Sequence, residues 1–110
     1  MARARVWKSR VTIICPACRD IDVASGYTDP SDGGVAGEHT VPFTGASVVW
    51  EFDGNLDRPT LKPSLKLTQE WRKLICHSFV TNGRIQYLGD CTHAMAGQTV
   101  DLPEIASREQ

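Results

Sequence analysis

The sequence predicts a small, mostly β domain of antiparallel strands with a zinc knuckle and a long Gly-rich loop. Two observations carry the β assignment: apolar and polar residues alternate at period two over several short runs, and no segment sustains a 3.6-residue period. A third carries the metal. All four cysteines and two of the three histidines fall in clusters, Cys15-Pro16-Ala17-Cys18 and Cys76-His77 with Cys91-Thr92-His93. The 110 residues suit one domain, residues 1–110. A core that small gains much from a metal tying distant segments together.

The elements follow in order. Residues 6–14 read as one strand that delivers Cys15, with Val11 and Ile13 alternating against Arg10, Thr12 and Ile14. Residues 20–45 carry Gly26, Asp29-Pro30, Gly33-Gly34, Gly37 and Gly45, which predicts a long loop or short hairpin and no helix. Residues 46–52 form a second strand with Val48, Trp50 and Phe52 on one face, closed by Asp53-Gly54-Asn55. In 60–68, Leu61, Leu65 and Leu67 oppose Lys62, Ser64 and Lys66, and the prolines at 59 and 63 suggest an edge position.

The clearest local signal is 74–88, two β-like runs joined at Asn82-Gly83, the pair a type I′ turn prefers. With those as turn residues, Thr81 faces Arg84, Val80 faces Ile85, Ser78 faces Tyr87 and Cys76 faces Gly89. Continuing the second strand would bring Cys91 and His93 onto the Cys76 face and leave His77 on the other, unless Gly89 breaks the parity. Residues 94–97 allow a short helical turn, and 99–102 a last strand.

Composition excludes several classes. Twelve Lys+Arg against 13 Asp+Glu, net charge -1, gives no field that would draw the chain to nucleic acid. The basic start (Arg3, Arg5, Lys8, Arg10) reads as a solvated arm, and Trp50 as core, so nucleic-acid binding is disfavoured. No apolar run approaches a membrane span and no secretory signal is seen, so the expected location is the cytoplasm. Paired cysteines there hold metal or do redox chemistry more often than they form disulfides. A thioredoxin-like reading of Cys15 and Cys18 would require a helix after the knuckle, and none is expected.

The residues therefore predict bound zinc. The hairpin register favours Cys15, Cys18, Cys76 and Cys91 as ligands, and a set with His39 or His93 as fourth ligand is almost as good. Cys76 and Cys91 read alternatively as small buried hydrophobes. Pro16, which enforces a turn, makes that alternative weak for Cys15 and Cys18.

Trp50, the run RPTLKPSL at 58–65 and above all CHSFVTNGRIQYLGDCTHAMAGQTVDLP resemble a family of small phage and bacterial proteins, domain of unknown function 6527, over residues 15–103. Some members carry the label ammonia monooxygenase, which nothing in these residues supports. The resemblance implies a histidine following the Cys-x-x-Cys, here His39 displaced by an inserted Gly-rich loop, and a Ser in place of Cys91 in many relatives. It thus implies Cys15, Cys18, His39 and Cys76 as the metal set. A position that takes Ser or Cys beside a histidine is what a nucleophile looks like, so Cys91 with His93 and His77 is the implied catalytic group. Ser64 and Ser78 are rival nucleophiles with His77 as base, although Ser64 reads first as a polar residue of an exposed strand face.

Distant members of that kind stand beside ubiquitin-like conjugation genes, which implies a peptidase-type hydrolase acting on ubiquitin-like or other polypeptide substrates, with zinc as scaffold. The competing reading is a non-catalytic zinc module that binds a protein partner through the long loop and Trp7, Trp50 or Trp71. A third makes zinc itself the catalyst through an activated water. Four closed ligands would mark the metal as structural, three plus water as catalytic.

Overall fold

The computed structural model describes residues 2–26 and 36–105. Its strands form two antiparallel sheets. The first has three strands in the order β1 (Arg5–Trp7), β2 (Arg10–Ile14) and β3 (Glu38–Pro42). The second has five in sequence order: β4 (Glu51–Phe52), β5 (Leu61–Gln69), β6 (Leu74–Thr81), β7 (Arg84–Tyr87) and β8 (Thr99–Asp101). A helix, α1 (Pro16–Ser25), follows β2, and a short 3-10 turn at Glu70–Arg72 joins β5 to β6. Both sheets contribute to a shared core in which Val11, Ile13, Leu61, Val80, Ile85 and Tyr87 are buried. The mostly β expectation holds. Part of the Gly-rich loop, at 27–35, lies outside the described residues.

Three local expectations are corrected. The single strand over 6–14 is a hairpin, with Trp7 facing Arg10 across a two-residue turn in which Lys8 takes φ +57°. No Gly or Asn marks that turn, so alternation alone reads through it. Residues 20–25 of the expected loop belong to α1, where no helix was expected, and the helix has its start and stop signals in place. Cys15 is the N-cap and its thiol accepts from the Cys18 N–H, Pro16 opens the first turn, and Gly26 closes the helix at φ +71°. The strand over 46–52 shrinks to Glu51–Phe52, and Val48 is 66% exposed where an alternating strand would bury it.

The hairpin of β6 and β7 has the expected register: Thr81 opposite Arg84, Val80 opposite Ile85, Ser78 opposite Tyr87. Asn82 and Gly83 both take positive φ (51° and 78°), as a type I′ turn requires. Beyond Tyr87 the strand stops, and Gly89-Asp90 turns the chain back toward β6. On its other side β6 pairs with β5, Lys66 opposite His77 and Leu67 opposite Cys76, with a bulge between Leu61 and Leu65 that contains Ser64. β4 covers only Leu61 and Lys62 of β5. From Pro63 onward that side of β5 has no strand partner among the described residues, as its prolines suggested.

Candidate functional site

Period-two geometry gives β6 two functional faces. Cys76 and Ser78 point into the core at 2% and 1% exposure, and His77 points to the opposite face.

On the core face, Cys76 meets Cys15, Cys18 and His39. Their ligand atoms lie within 4.8 Å of one another. Cys15 comes from the end of β2, Cys18 from the first turn of α1, His39 from β3 and Cys76 from β6, so the cluster ties both sheets and the helix together. Gly37 sets the approach of β3. Its carbonyl accepts from the Cys15 N–H (2.8 Å) and its N–H donates to Asp22 (2.9 Å), and at φ +77° a Cβ there would sit 2.6 Å from the Cβ of Arg19. The cluster fits a tetrahedral ion. Cys15 Sγ and Cys76 Sγ are 3.7 Å apart, against the ~3.8 Å edge of a tetrahedron with ~2.3 Å metal–sulfur bonds, and Cys76 Sγ to His39 Nε2 is 3.9 Å.

The Cys18 and then the Cys76 thiol hydrogen-bond to Cys15 and hold it far below the ordinary thiol range, while those same contacts push Cys18 and Cys76 up. A metal would take the place of the shared protons. Behind the cluster, the Tyr87 hydroxyl contacts Cys15 Sγ at 3.1 Å and accepts from the Ala17 N–H at 3.2 Å. Burial raises its pKa, and so does the charge on Cys15.

On the opposite face of β6, His77 stands between Ser64 and Asp90. Its Nε2 is 2.9 Å from Ser64 Oγ, and its Nδ1 is 3.2 and 3.1 Å from the two carboxylate oxygens of Asp90. The tautomer follows. An ionised carboxylate only accepts, so Nδ1 carries the proton, Nε2 presents its lone pair, and Ser64 O–H donates to it. The hydrogen bond from His77 holds the Asp90 carboxyl below the usual carboxylate range. Lys66 Nζ lies 3.9 Å from the same carboxylate. Ser64 is placed by the β5 bulge, and its carbonyl accepts from the Trp50 indole N–H at 3.2 Å.

Cys91 joins neither constellation through a metal or an imidazole. Its thiol accepts from the His77 backbone N–H and donates to the His77 carbonyl, both at 3.2 Å, and so clips the loop carrying Asp90 to the strand carrying His77. The expected extension of β7 that would have put Cys91 beside Cys76 fails at the Gly89-Asp90 turn.

His93 lies elsewhere. Its Nδ1 accepts from the Met95 N–H, so Nε2 carries a proton, and that atom is buried without a partner. The ring packs edge-on against Tyr87 at 4.7 Å, and burial lowers its pKa. Ser78 is buried, and its hydroxyl has no hydrogen-bond partner among the described residues. Of Cys91, His93 and His77, then, only the His77 ring contacts both Ser64 and Asp90.

Sequence reasoning weighed Ser64 and passed over Asp90. The signal for Asp90 was available: the hairpin register sets Leu88 opposite His77, and Asp90 follows two residues later. The pairing of Lys66 with His77 depends on the bulge, which no residue pattern marks.

A cleft of about 290 Å³ opens between β3 and β5 against the Cys/His cluster, lined by His39, Thr40, Trp50, Leu65, Lys66 and Cys76 among others. Leu65 and Lys66 immediately follow Ser64. Among the described residues no helix is long and apolar enough to cross a membrane.

The family model described as BubE, bacterial ubiquitination-like system serine protease, matches residues 32–88, 57 of the 110, a span that includes Ser64 and His77 and stops just short of Asp90. This match corrects the expected kinship with domain of unknown function 6527. No curated protein and no solved structure matches the chain.

Proposed function

The chain belongs to the BubE family of bacterial ubiquitination-like system serine proteases, and from that membership we propose that Ser64, His77 and Asp90 are its catalytic triad, acting on polypeptide substrates. The observation that carries this reading is the relay itself, Ser64 Oγ to His77 Nε2 at 2.9 Å and His77 Nδ1 to Asp90 at 3.1 Å. Nucleophile, base and orienting carboxylate follow one another at hydrogen-bond distance, the arrangement that acyl transfer needs.

The chemistry runs through those three side chains. As Ser64 Oγ attacks the substrate carbonyl, its proton passes to His77 Nε2, and the imidazolium is stabilised by the carboxylate of Asp90. His77 then returns the proton to the leaving group, leaving an ester on Ser64. A water that loses its proton to His77 hydrolyses the ester, and Ser64 regains its proton. Asp90 holds the ring in the tautomer that leaves Nε2 free to accept.

Cys15, Cys18, His39 and Cys76 supply three sulfurs and one imidazole, a donor set suited to zinc. Four such ligands would close the coordination shell of an ion, which would then cross-link the two sheets and α1. The hydrolytic steps pass through the other face of β6.

The test is active-site labelling. A fluorophosphonate should modify wild-type protein at Ser64, Ser64→Ala should lose both labelling and hydrolysis, and Cys91→Ala should remain labelled. Retained hydrolysis in Ser64→Ala together with its loss in both Cys91→Ser and Cys91→Ala would overturn the assignment in favour of the thiol.

A further inference from the structure

The cleft over His39 and Cys76 is walled by two strand edges, begins one residue along β5 from Ser64, and alternation shows which backbone groups face it. In the first sheet the Phe43 N–H donates to the Ser9 carbonyl and the Cys15 N–H to the Gly37 carbonyl. Odd-numbered residues of β3 therefore bond to β2, and the N–H and C=O of Glu38 and Thr40 point outward. In the second sheet Thr81 and Arg84 flank a two-residue turn and the Leu88 N–H donates to His77 O, so the backbone of odd residues of β6 faces β7 and that of even residues faces β5.

Since Leu65 and Leu67 pair with Ser78 and Cys76, they spend their backbone groups on β6, which leaves those of Ser64, Lys66 and Thr68 pointing away. The Ser64 carbonyl bears this out, because it accepts from Trp50 on that side. Thr40 and Lys66, both lining the cleft, direct N–H and C=O groups outward with no strand pairing there among the described residues.

We propose that this cleft binds the substrate as an extended polypeptide strand, hydrogen-bonded to Thr40 of β3 and Lys66 of β5, which lays its scissile bond at Ser64. Two free edges are a template for an added strand, and main-chain pairing gives affinity without demanding a sequence. The walls select the side chains. Val41, Leu65, Leu67 and Trp50 are apolar, His39 and Cys76 are turned to the Cys/His cluster, and the carboxylate of Glu38 is already paired with Arg5 at 2.7 Å, so small uncharged residues fit and acidic ones gain nothing beyond Lys66. The position of the scissile bond rests on the reading of Ser64 as nucleophile, and strand addition itself does not.

The probe is acetyl-pentaalanyl-lysine amide, titrated into ¹⁵N-labelled wild-type protein. The Thr40 and Lys66 amide protons should move downfield and exchange with solvent at least tenfold more slowly, and the same peptide N-methylated along its backbone should do neither. Unmoved Thr40 and Lys66 amides, or equal responses to both peptides, overturn the proposal.

A second pair of variants isolates the backbone. Thr40→Pro deletes an N–H that β2 does not use, a place where an edge strand tolerates proline, and Thr40→Val removes the same hydroxyl but keeps the N–H. Peptide affinity should fall about tenfold in Thr40→Pro relative to Thr40→Val, and equal affinities overturn the proposal. If fluorophosphonate fails to label Ser64 while Thr40 and Lys66 still respond to the peptide, the nucleophile assignment falls and the binding mode stands.

Discussion

Replacing Cys91 with alanine separates a structural clip from a nucleophile. The thiol bridges the His77 backbone N–H and C=O, each at 3.2 Å. In Cys91→Ala the carbonyl keeps a partner, because the Leu88 N–H donates to it at 2.9 Å. The His77 N–H is orphaned, which costs about 1–3 kcal/mol. Lost burial of the sulfur adds about 1 kcal/mol. A total near 3 kcal/mol should lower Tm by roughly 13 °C for a chain of this size.

The loop released is the one that carries Asp90. If the clip contributes about 1.4 kcal/mol to holding the carboxylate on His77, kcat falls about tenfold. Cys91→Ser should restore both, since a hydroxyl also donates and accepts; activity within about threefold of wild type is expected. The assays are thermal unfolding followed by circular dichroism and hydrolysis of a p-nitrophenyl ester. A Cys91→Ser enzyme as inactive as Cys91→Ala, with wild-type Tm, would refute the clip and restore Cys91 as the reacting group.

Other outcomes follow from the same geometry. Asp90→Asn should lower kcat about 10²–10³-fold with KM little changed, less than the ~10⁴ of a buried triad carboxylate, because the Asp90 side chain is 46% exposed; an unaltered kcat would remove Asp90 from the relay. The hydrogen bond from His77 favours the ionised form of Asp90, so its charge persists as pH falls below the usual carboxylate value. Protonation of Asp90 should therefore not limit kcat/KM until the pH is below the usual carboxylate value, and an acid-limb break at that value that disappears in Asp90→Asn would contradict this. Purified protein should carry one equivalent of zinc by elemental analysis. Chelation should lower Tm, and His39→Ala should lose the metal while Cys91→Ser keeps it. Gly37→Ala, forced to positive φ with its Cβ against Arg19, should lose about 2 kcal/mol or more in urea unfolding.

What the sequence made legible, and what it hid, divides along local against non-local determinants. The β6–β7 register was readable because Asn82-Gly83 sets a two-residue turn, and pairing follows from it by counting. The Cys-x-x-Cys knuckle was readable for the same reason, its ligands being three residues apart. Helix α1 was hidden by composition: Asp20 and Ser25 look like loop residues, yet a Cys15 cap, Pro16 at the start and Gly26 at the end bracket a helix. The place of Cys91 was hidden because it turns on where β7 stops. One residue of parity decides between a metal ligand and a backbone clip, and Gly89-Asp90 resolves it only in three dimensions.

The same parity gives β6 its organising role. Cys76 and His77 are neighbours in sequence and point to opposite faces, one to the metal cluster and one to the relay, so neither site can move along the strand without moving the other. A metal at Cys76 would pin β6 to β2, α1 and β3, and thereby fix how far the free edge of β3 stands from that of β5. Loss of the ion should accordingly weaken peptide binding in the cleft before it disturbs the Ser64–His77 contact, which lies wholly within the β5–β6 pairing. The order in which chelation abolishes the two, peptide-induced shift at Thr40 first and fluorophosphonate labelling of Ser64 second, measures that coupling; simultaneous loss would place the metal's support in the β5–β6 pair itself.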